Sequence, residues 1–164
     1  MTKKLLIIGA NGHGKVIADS ALKMNKWQSI AFLDDNQNVK SSMGIEIIDE
    51  STSISKYIDD YEFFVGIGNN AIREKIQRQL EAEGASIPVL VHPGAIIGEQ
   101  VYLEAGTIVM AGTVINCCTK IGKGCIINTA STIDYDNIIE DYVHISPGAY
   151  LAGTVKVGLG TWLV

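Results

Sequence analysis

An α/β domain that runs directly into a parallel β-solenoid is the fold this sequence predicts, on three observations. From Val91 to Leu163 a Val, Ile or Leu falls on every sixth position, thirteen times in succession. Near the start, a short apolar run leads into a glycine-rich loop and then a helical pattern. Between these stretches, apolar runs and a second helical pattern alternate, as in a parallel sheet covered by helices. The boundary is expected near residue 85, giving domains 1–85 and 86–164.

Lys3 to Ile8 reads as a buried strand. Its apolar run is too short, and meets glycine too soon, to be the core of a leader peptide. Gly9, Asn11, Gly12, His13, Gly14 and Lys15 form a loop ahead of a helix expected from Val16 to Met24. Glycines let a backbone approach a phosphate, and a helix N-terminus favours negative charge. Ile30 to Leu33 is a second strand, ending in Asp34 and Asp35. An acid at that point either holds a ribose hydroxyl or simply turns the chain. The glycine spacing departs from G-x-G-x-x-G, and the strands are too few for two mononucleotide halves. One nucleotide moiety, such as a nucleotide-sugar, therefore fits better than a dinucleotide.

A short strand from Gly44 to Ile48 and a short helix from Ser51 to Tyr57 come next. Tyr61 to Ile67 is a strong strand that ends at Gly68 and Asn69. The following helix, Ala71 to Glu83, puts Ile72, Ile76 and Leu80 on one face, pairs Glu74 with Arg78 and stops at Gly84. Ile87 to Val91 reads as a last strand leading into the repeats. The loops after the first, second and Tyr61 strands all lie at C-terminal strand ends, where such sheets bind ligands.

A period of six fits neither a helix nor a lone strand; it is an internal repeat of one short strand and one turn. The apolar marker points inward, and a small or β-branched residue four positions on fits the corner. Those residues are Ala95, Val101, Thr107, Thr113, Thr119, Cys125, Ser131, Asn137, Val143, Ala149, Val155 and Thr161, with Asn137 the odd member. One hexad cannot bury its own face, so coils must stack.

Composition narrows the function classes. An apolar fraction of 47% and a charged fraction of 19% describe a soluble, well-buried protein, and a net charge of -5 argues against nucleic acid as a partner. No stretch approaches the roughly 18 apolar residues of a membrane span. Cys117 and Cys118 are neighbours that would strain to pair, Cys125 fills a corner, and no CxxC occurs. A reducing cytoplasm and no metal are the expectation. His13, His92 and His144 lack the spacing of a zinc site shared between coils.

Five segments carry a resemblance: Gly9-Ala-Asn-Gly-His-Gly-Lys-Val16, Phe32-Leu-Asp-Asp35, Gly66-Ile-Gly-Asn69, Val91-His-Pro-Gly94 and Val143-His-Ile-Ser-Pro-Gly-Ala149. With the hexads, they resemble the PglD/NeuD-like sugar O-/N-acyltransferases over the whole chain. The resemblance implies an N-terminal Rossmann-like domain that binds a UDP-amino-sugar or related sugar. It implies a left-handed parallel β-helix with three hexads per coil. It further implies acetyl-CoA as co-substrate, a homotrimer through the β-helix, and an active site between neighbouring subunits. Acetyl would pass from the thioester to a sugar amine, or to a hydroxyl in NeuD-like members. On this reading Gly9, Asn11, Gly12, His13, Gly14, Lys15, Asp34, Asp35, Gly68 and Asn69 hold the nucleotide-sugar, with Arg73 near its phosphates. Such proteins usually continue for further coils, so a truncated C-terminus is expected.

Direct acetyl transfer needs a base near the thioester and a donor for the oxyanion. The resemblance puts a His at the base position, and here that slot holds Tyr135. Asp136 matches the acid that orients the family's His. A tyrosine has a reference pKa of about 10, so it can donate a hydrogen bond but is a poor base. Gly153 lies one coil beyond Tyr135, where the resemblance places the acetyl end of CoA, and its missing side chain is expected to leave room for the thioester. His144 matches a second β-helix His beside acetyl-CoA and would serve as base, donor or corner packing residue. His13 matches a His near the sugar-nucleotide, or else bonds to loop backbone, and His92 marks the domain junction. The expected function is an acetyl-CoA-dependent acetyltransferase acting on a sugar. The alternative is a catalytically impaired relative that binds nucleotide-sugar or CoA as a trimer.

Overall fold

Strand β1 (Lys4–Ile8) takes an inner position in the first sheet because Leu5 through Ile8 are all apolar, and only a strand covered on both faces can bury both parities. The computed structural model describes residues 3–164, in two units, Met1–Pro88 and Val89–Val164. In the first, β1 is followed by α1 (Gly12–Met24), β2 (Ile30–Leu33), β3 (Ser41–Ser42), β4 (Ile45–Asp49), β5 (Tyr61–Val65) and α2 (Asn70–Ala82). The sheet order is β3-β4-β2-β1-β5, parallel except for the antiparallel β3–β4 pair. Leu6, Ile8, Leu33, Phe63 and Val65 pack with Leu80 of α2 on one face. Phe32, of opposite parity, lies against α1 at Gly14.

Several boundaries differ from the sequence reading. Helix α1 begins at Gly12, not Val16, with Asn11 as its N-cap, so Gly12 to Lys15 form its first turn. The low helix propensity of two glycines hid this start. A single 3-10 turn, Ile54–Lys56, replaces the short helix expected from Ser51 to Tyr57. Only Leu90–Val91 of the Ile87–Val91 segment is strand, and it pairs with Ile108–Val109 in the second unit. Helix α2 is rotated from its expected setting. Ile72 is 49% exposed, while Arg73, Gln77 and Leu80 face inward. Arg73 turns in because its guanidinium bonds the carbonyls of Ile67 and Gly68 and the Asn70 side chain. The Glu74–Arg78 pair forms as expected.

The β4 end is tied by Asp49, whose carboxylate accepts from the Glu50 N–H, Lys56 and the Tyr57 hydroxyl. The Glu50 N–H, then Ser53 and Lys56, hold its pKa well below the ordinary carboxylate range. A lowered folded-state pKa contributes stability that is present above the unfolded value of 3.8 and lost as pH falls toward the folded one. Thermal melts of wild type and Asp49→Asn should therefore differ most near neutral pH and converge below about pH 4. A gap that stays constant down to acid pH would remove the charge from this account.

In the second unit each hexad contributes a two-residue strand, and strands eighteen residues apart pair in parallel, as Val114 does with Ile96 and Thr132. Three faces result. The first runs through Ile96, Val114, Thr132 and Tyr150, the second through Tyr102, Lys120, Ile138 and Lys156, and the third from Leu90 to Trp162. The fold is a left-handed parallel β-helix, with Val109, Ile115, Ile121, Ile127, Ile133, Ile139 and Ile145 stacked inside. Corner hydroxyls bond the next coil: Thr107, Thr113 and Thr119 each donate to a carbonyl fifteen residues on. Cys125 is buried in its corner, whereas Cys117 and Cys118 are exposed and free. Among the described residues no helix is long and apolar enough to cross a membrane.

Candidate active site

In the first unit, the loops after β1, β2 and β5 share one edge of the sheet. Gly9 donates its N–H to Leu33, and Gly66 donates to Ile8. Asp34 joins two loops: one carboxylate oxygen accepts from the Ala10 N–H at 2.9 Å and the other from the Asn36 N–H at 2.9 Å. Beside it opens a cleft of about 350 Å³, walled by Asn11 and Lys15 on one side and Asn36, Ser41, Ser42 and Met43 on the other. The first turn of α1 carries no acidic residue, which leaves its N–H groups and Lys15 suited to an anion.

Of the residues assigned from sequence, Asn11, Lys15 and Asp34 line this cleft. Asp35 turns away and accepts from the N–H and hydroxyl of Ser51. Gly9, Gly14 and Gly66 serve close packing: a side chain begun at Gly14 would overlap the Gly9 carbonyl oxygen, and one begun at Gly66 would come within 2.9 Å of the Gly14 Cα. Around Gly12 there is open space. The β5–α2 loop holds the rest. Asn69 caps α2 by accepting from the Ile72 N–H at 3.0 Å, Arg73 braces the loop from beneath, and Gly68 lies beside His13. None of Gly68, Asn69 and Arg73 lines the Asp34 cleft. The β3–β4 wall is what sequence reasoning missed. Its legible signal was Gly44, which with Met43 adopts positive φ in a tight hairpin, and Ser42 latches that hairpin to the Ala10 carbonyl at 2.9 Å.

In the second unit, Tyr135, Asp136 and Gly153 share one corner, between the first and second faces. The Tyr135 ring lies directly on Gly153, so that a side chain begun there would run into it. The space expected to stay open for a thioester is filled by Tyr135 itself. The cause is the register: the Thr154 N–H donates to the Tyr135 carbonyl at 2.9 Å, which stacks the two turns and brings the ring down on the residue without a Cβ.

This corner is densely tied. Asp134 accepts from the Tyr135 N–H at 2.9 Å and the Asn116 side chain at 3.0 Å. The Asn137 amide donates to the carbonyls of Asp134, Tyr135 and Ala152. With the Ala152 carbonyl turned into the core, the trans peptide directs the Gly153 N–H outward. Positive φ recurs at Gln100, Cys118, Asp136 and Thr154, one above another, with no glycine among them. The other two corners mostly use glycine at that position, Gly106, Gly112, Gly124, Gly148 and Gly160, with Ala130 and Tyr142 as the exceptions. A left-handed non-glycine residue costs roughly 1–2 kcal/mol, and such strain gathers at functional sites. The Cys118 thiol is pushed up by desolvation, by Cys117 and by Asp136.

His144 starts a strand of the third face, opposite the Tyr135 corner, and a single chain does not bring it to Gly153. Its ring stacks on Trp162 with centroids 4.9 Å apart, and its Nε2 lies 3.0 Å from the Asn128 side-chain nitrogen. Asn128 Oδ1 accepts from the Thr129 N–H, which fixes the amide so that its nitrogen donates to Nε2. The neutral ring therefore carries its proton on Nδ1. His92 accepts from the Gly94 N–H at 2.8 Å and shapes the first turn of the β-helix.

Comparison with known proteins matches this architecture. Residues 4–80 match the PglD N-terminal domain family. The chain is 27% identical over 157 residues to GDP-perosamine N-acetyltransferase of Escherichia coli O157:H7, covering 92% of this chain and 71% of that protein. It is 35% identical over 113 residues to UDP-N-acetylbacillosamine N-acetyltransferase of Bacillus subtilis (strain 168), covering 66% of this chain and about half, 52%, of that protein. The acetyltransferase domain of PglB from Neisseria gonorrhoeae FA1090, solved in complex with acetyl coenzyme A, superposes with a TM-score of 0.90 at 35% identity over 99% of this chain and 82% of that one. PerB from Caulobacter crescentus, solved with CoA and GDP-perosamine, gives 0.90 at 31% identity over 96% of this chain and 75% of that one. Fold and site together define a hexapeptide-repeat acyltransferase with an N-terminal Rossmann-like domain. Within that class the chain belongs to the PglD/NeuD-like family of sugar acyltransferases.

Proposed function

We propose that the chain transfers acetyl from acetyl-CoA to the amine of a nucleotide-linked amino sugar, in the cytoplasm, as a homotrimer whose active site combines two copies. The outward Gly153 N–H carries this reading. Its peptide is locked to the core through the Ala152 carbonyl, so it is a pre-set donor for the oxyanion that forms when the amine attacks the thioester carbonyl. The tetrahedral adduct then collapses, breaking the C–S bond and expelling CoA as the thiolate, which takes up the proton lost by the amine nitrogen. His144 reaches that point only from a neighbouring copy. The second face of the β-helix suits the subunit contact: a groove of about 390 Å³ there is flanked by the exposed Tyr102, Ile138 and Leu159. The Asp34 cleft receives the nucleotide, with Lys15 and the start of α1 toward the phosphates and Asp34 toward the ribose. Both named curated relatives are N-acetyltransferases of nucleotide sugars, which favours nitrogen over oxygen as the acceptor.

A second reading follows from the Tyr135 ring on Gly153. A relative with neither a strong base nor open access to its oxyanion donor would bind its ligands and turn over slowly. Release of free thiol from acetyl-CoA, with UDP- and GDP-linked 4-amino sugars as acceptors, decides between the readings. Steady turnover on one acceptor establishes the transferase. Binding of CoA and nucleotide without thiol release selects the impaired relative.

A further inference from the structure

We propose that Asn137 is a positioning residue for acetyl transfer, a buried amide that sets both the turn carrying Tyr135 and the peptide carrying the Gly153 N–H. Its own column of corner residues reads Val101, Thr119, Asn137 and Val155, so the stack is built with valine at two levels and does not require an amide. Thr107, Thr113 and Thr119 each donate one bond, to the carbonyl fifteen residues on, and Thr161 donates back to Gly158. Asn137 makes that bond too, to the Ala152 carbonyl at 2.9 Å. It also reaches back to two carbonyls, of Asp134 at 2.7 Å and Tyr135 at 3.2 Å, where Cys125, Ser131 and Thr161 each reach back to one.

The arrangement is a poor choice for stability alone. One nitrogen with two hydrogens serves three carbonyls, and the amide oxygen is buried with no hydrogen-bond partner among the described residues. An unsatisfied buried acceptor is destabilising; valine in this slot would remove it while leaving the Ala152 carbonyl without its side-chain donor, so neither residue is ideal for stability. What the amide supplies is geometry. A peptide is planar, so fixing the Ala152 oxygen fixes the direction of the Gly153 N–H. Fixing the carbonyls of Asp134 and Tyr135 sets where the Tyr135 side chain leaves the turn. An oxyanion donor acts only when aimed at the place where charge develops.

The test compares Asn137→Val, which removes all three bonds, with Asn137→Thr, which keeps the reach to the next coil that Thr119 has. The kinetic arm rests on the acetyl-transfer reading; the structural arm does not. Asn137→Val should still fold, with a Tm lowered by no more than about 10 °C. It should keep both KM values within a factor of about two and lose kcat by about thirtyfold, with Asn137→Thr in between. A kcat within about twofold of wild type, or a loss that tracks Tm and both KM values, would overturn the proposal. Should wild type transfer acetyl to no acceptor, crystal structures of wild type and Asn137→Val decide the matter. A rotated 152–153 peptide and a displaced Tyr135 turn support it, and superposition of that corner within about 0.5 Å overturns it.

Discussion

Tyr135→His raises the rate of thiol release from acetyl-CoA by about a hundredfold or more, because general base catalysis by a placed imidazole contributes roughly 10²–10⁴. Two changes act together. The phenol that covers Gly153 is replaced by a smaller ring, which opens the oxyanion donor to the thioester. The new imidazole then stands beside Asp136, the acid that follows it in the turn, and takes the proton of the attacking amine. The pH dependence carries the signature. The variant gains a limb that rises through about pH 6.5, the ordinary imidazole range, which the wild-type phenol has no means to produce. Tyr135→Phe separates the two parts: it keeps the ring on Gly153 and removes the hydroxyl. If Tyr135 acts as a donor, the Phe variant falls below wild type; if the ring is only a cover, the two are equal. A folded Tyr135→His protein that turns over no faster than wild type would show that neither base nor cover limits the reaction. The limit would then lie with His144 or with the acceptor.

The β-helix was legible because every element of it repeats. The markers from Val91 to Leu163 are the strand residues that point inward, and the eighteen-residue pairing of Val114 with Thr132 follows from three hexads per coil. The first unit was legible where a side chain's preference and its tertiary setting agree, as in β1 and β2. It was illegible where they disagree. Ile72 is exposed and Arg73 buried because α2 orients to satisfy the carbonyls of a loop, which hydrophobicity does not encode. Ser41–Ser42 makes a strand without β-branched or aromatic residues because β4 offers it an edge. The Tyr135 corner was legible by residue identity but not by contact. That Gly153 lies one coil from Tyr135 could be counted; that the ring would descend onto it depends on a side-chain direction no spacing gives. The most informative sign of that corner was an absence in the sequence. Gln100, Cys118, Asp136 and Thr154 hold the position that glycine takes at most other levels, and the significance emerges only once the position's positive φ is known.

Gly14→Ala abolishes folding of the first unit, while Gly12→Ala, two residues away in the same first turn, leaves it intact. A Cβ at Gly14 would overlap the Gly9 carbonyl oxygen and meet the Phe32 ring at 3.6 Å. The backbone atoms cannot yield, since the Gly9 N–H is bonded to Leu33 and the Gly66 N–H to Ile8. Relief requires α1 to lift off β1, exposing Ile17, Ala18 and Ala21 together with Leu5 and Ile7. Overpacking of this kind costs roughly 1–3 kcal/mol where neighbours can shift, and more where they are backbone, against a total of about 5–15 kcal/mol for a whole domain. At Gly12 nothing lies within 4 Å of the added carbon, and alanine is the better helix former by about 1 kcal/mol. Calorimetry should show the first unit's transition missing or far lowered in Gly14→Ala and unchanged or slightly raised in Gly12→Ala. A Gly14→Ala protein that melts like wild type would mean the close approach of α1 to β1 relaxes cheaply. The same pair of variants sorts the two uses a glycine loop can have. Gly12 is free to matter for a ligand only because it does not matter for packing. Weakened UDP or GDP binding by the stable Gly12→Ala protein would place a phosphate against the start of α1, whereas undiminished binding would move the nucleotide away from that turn.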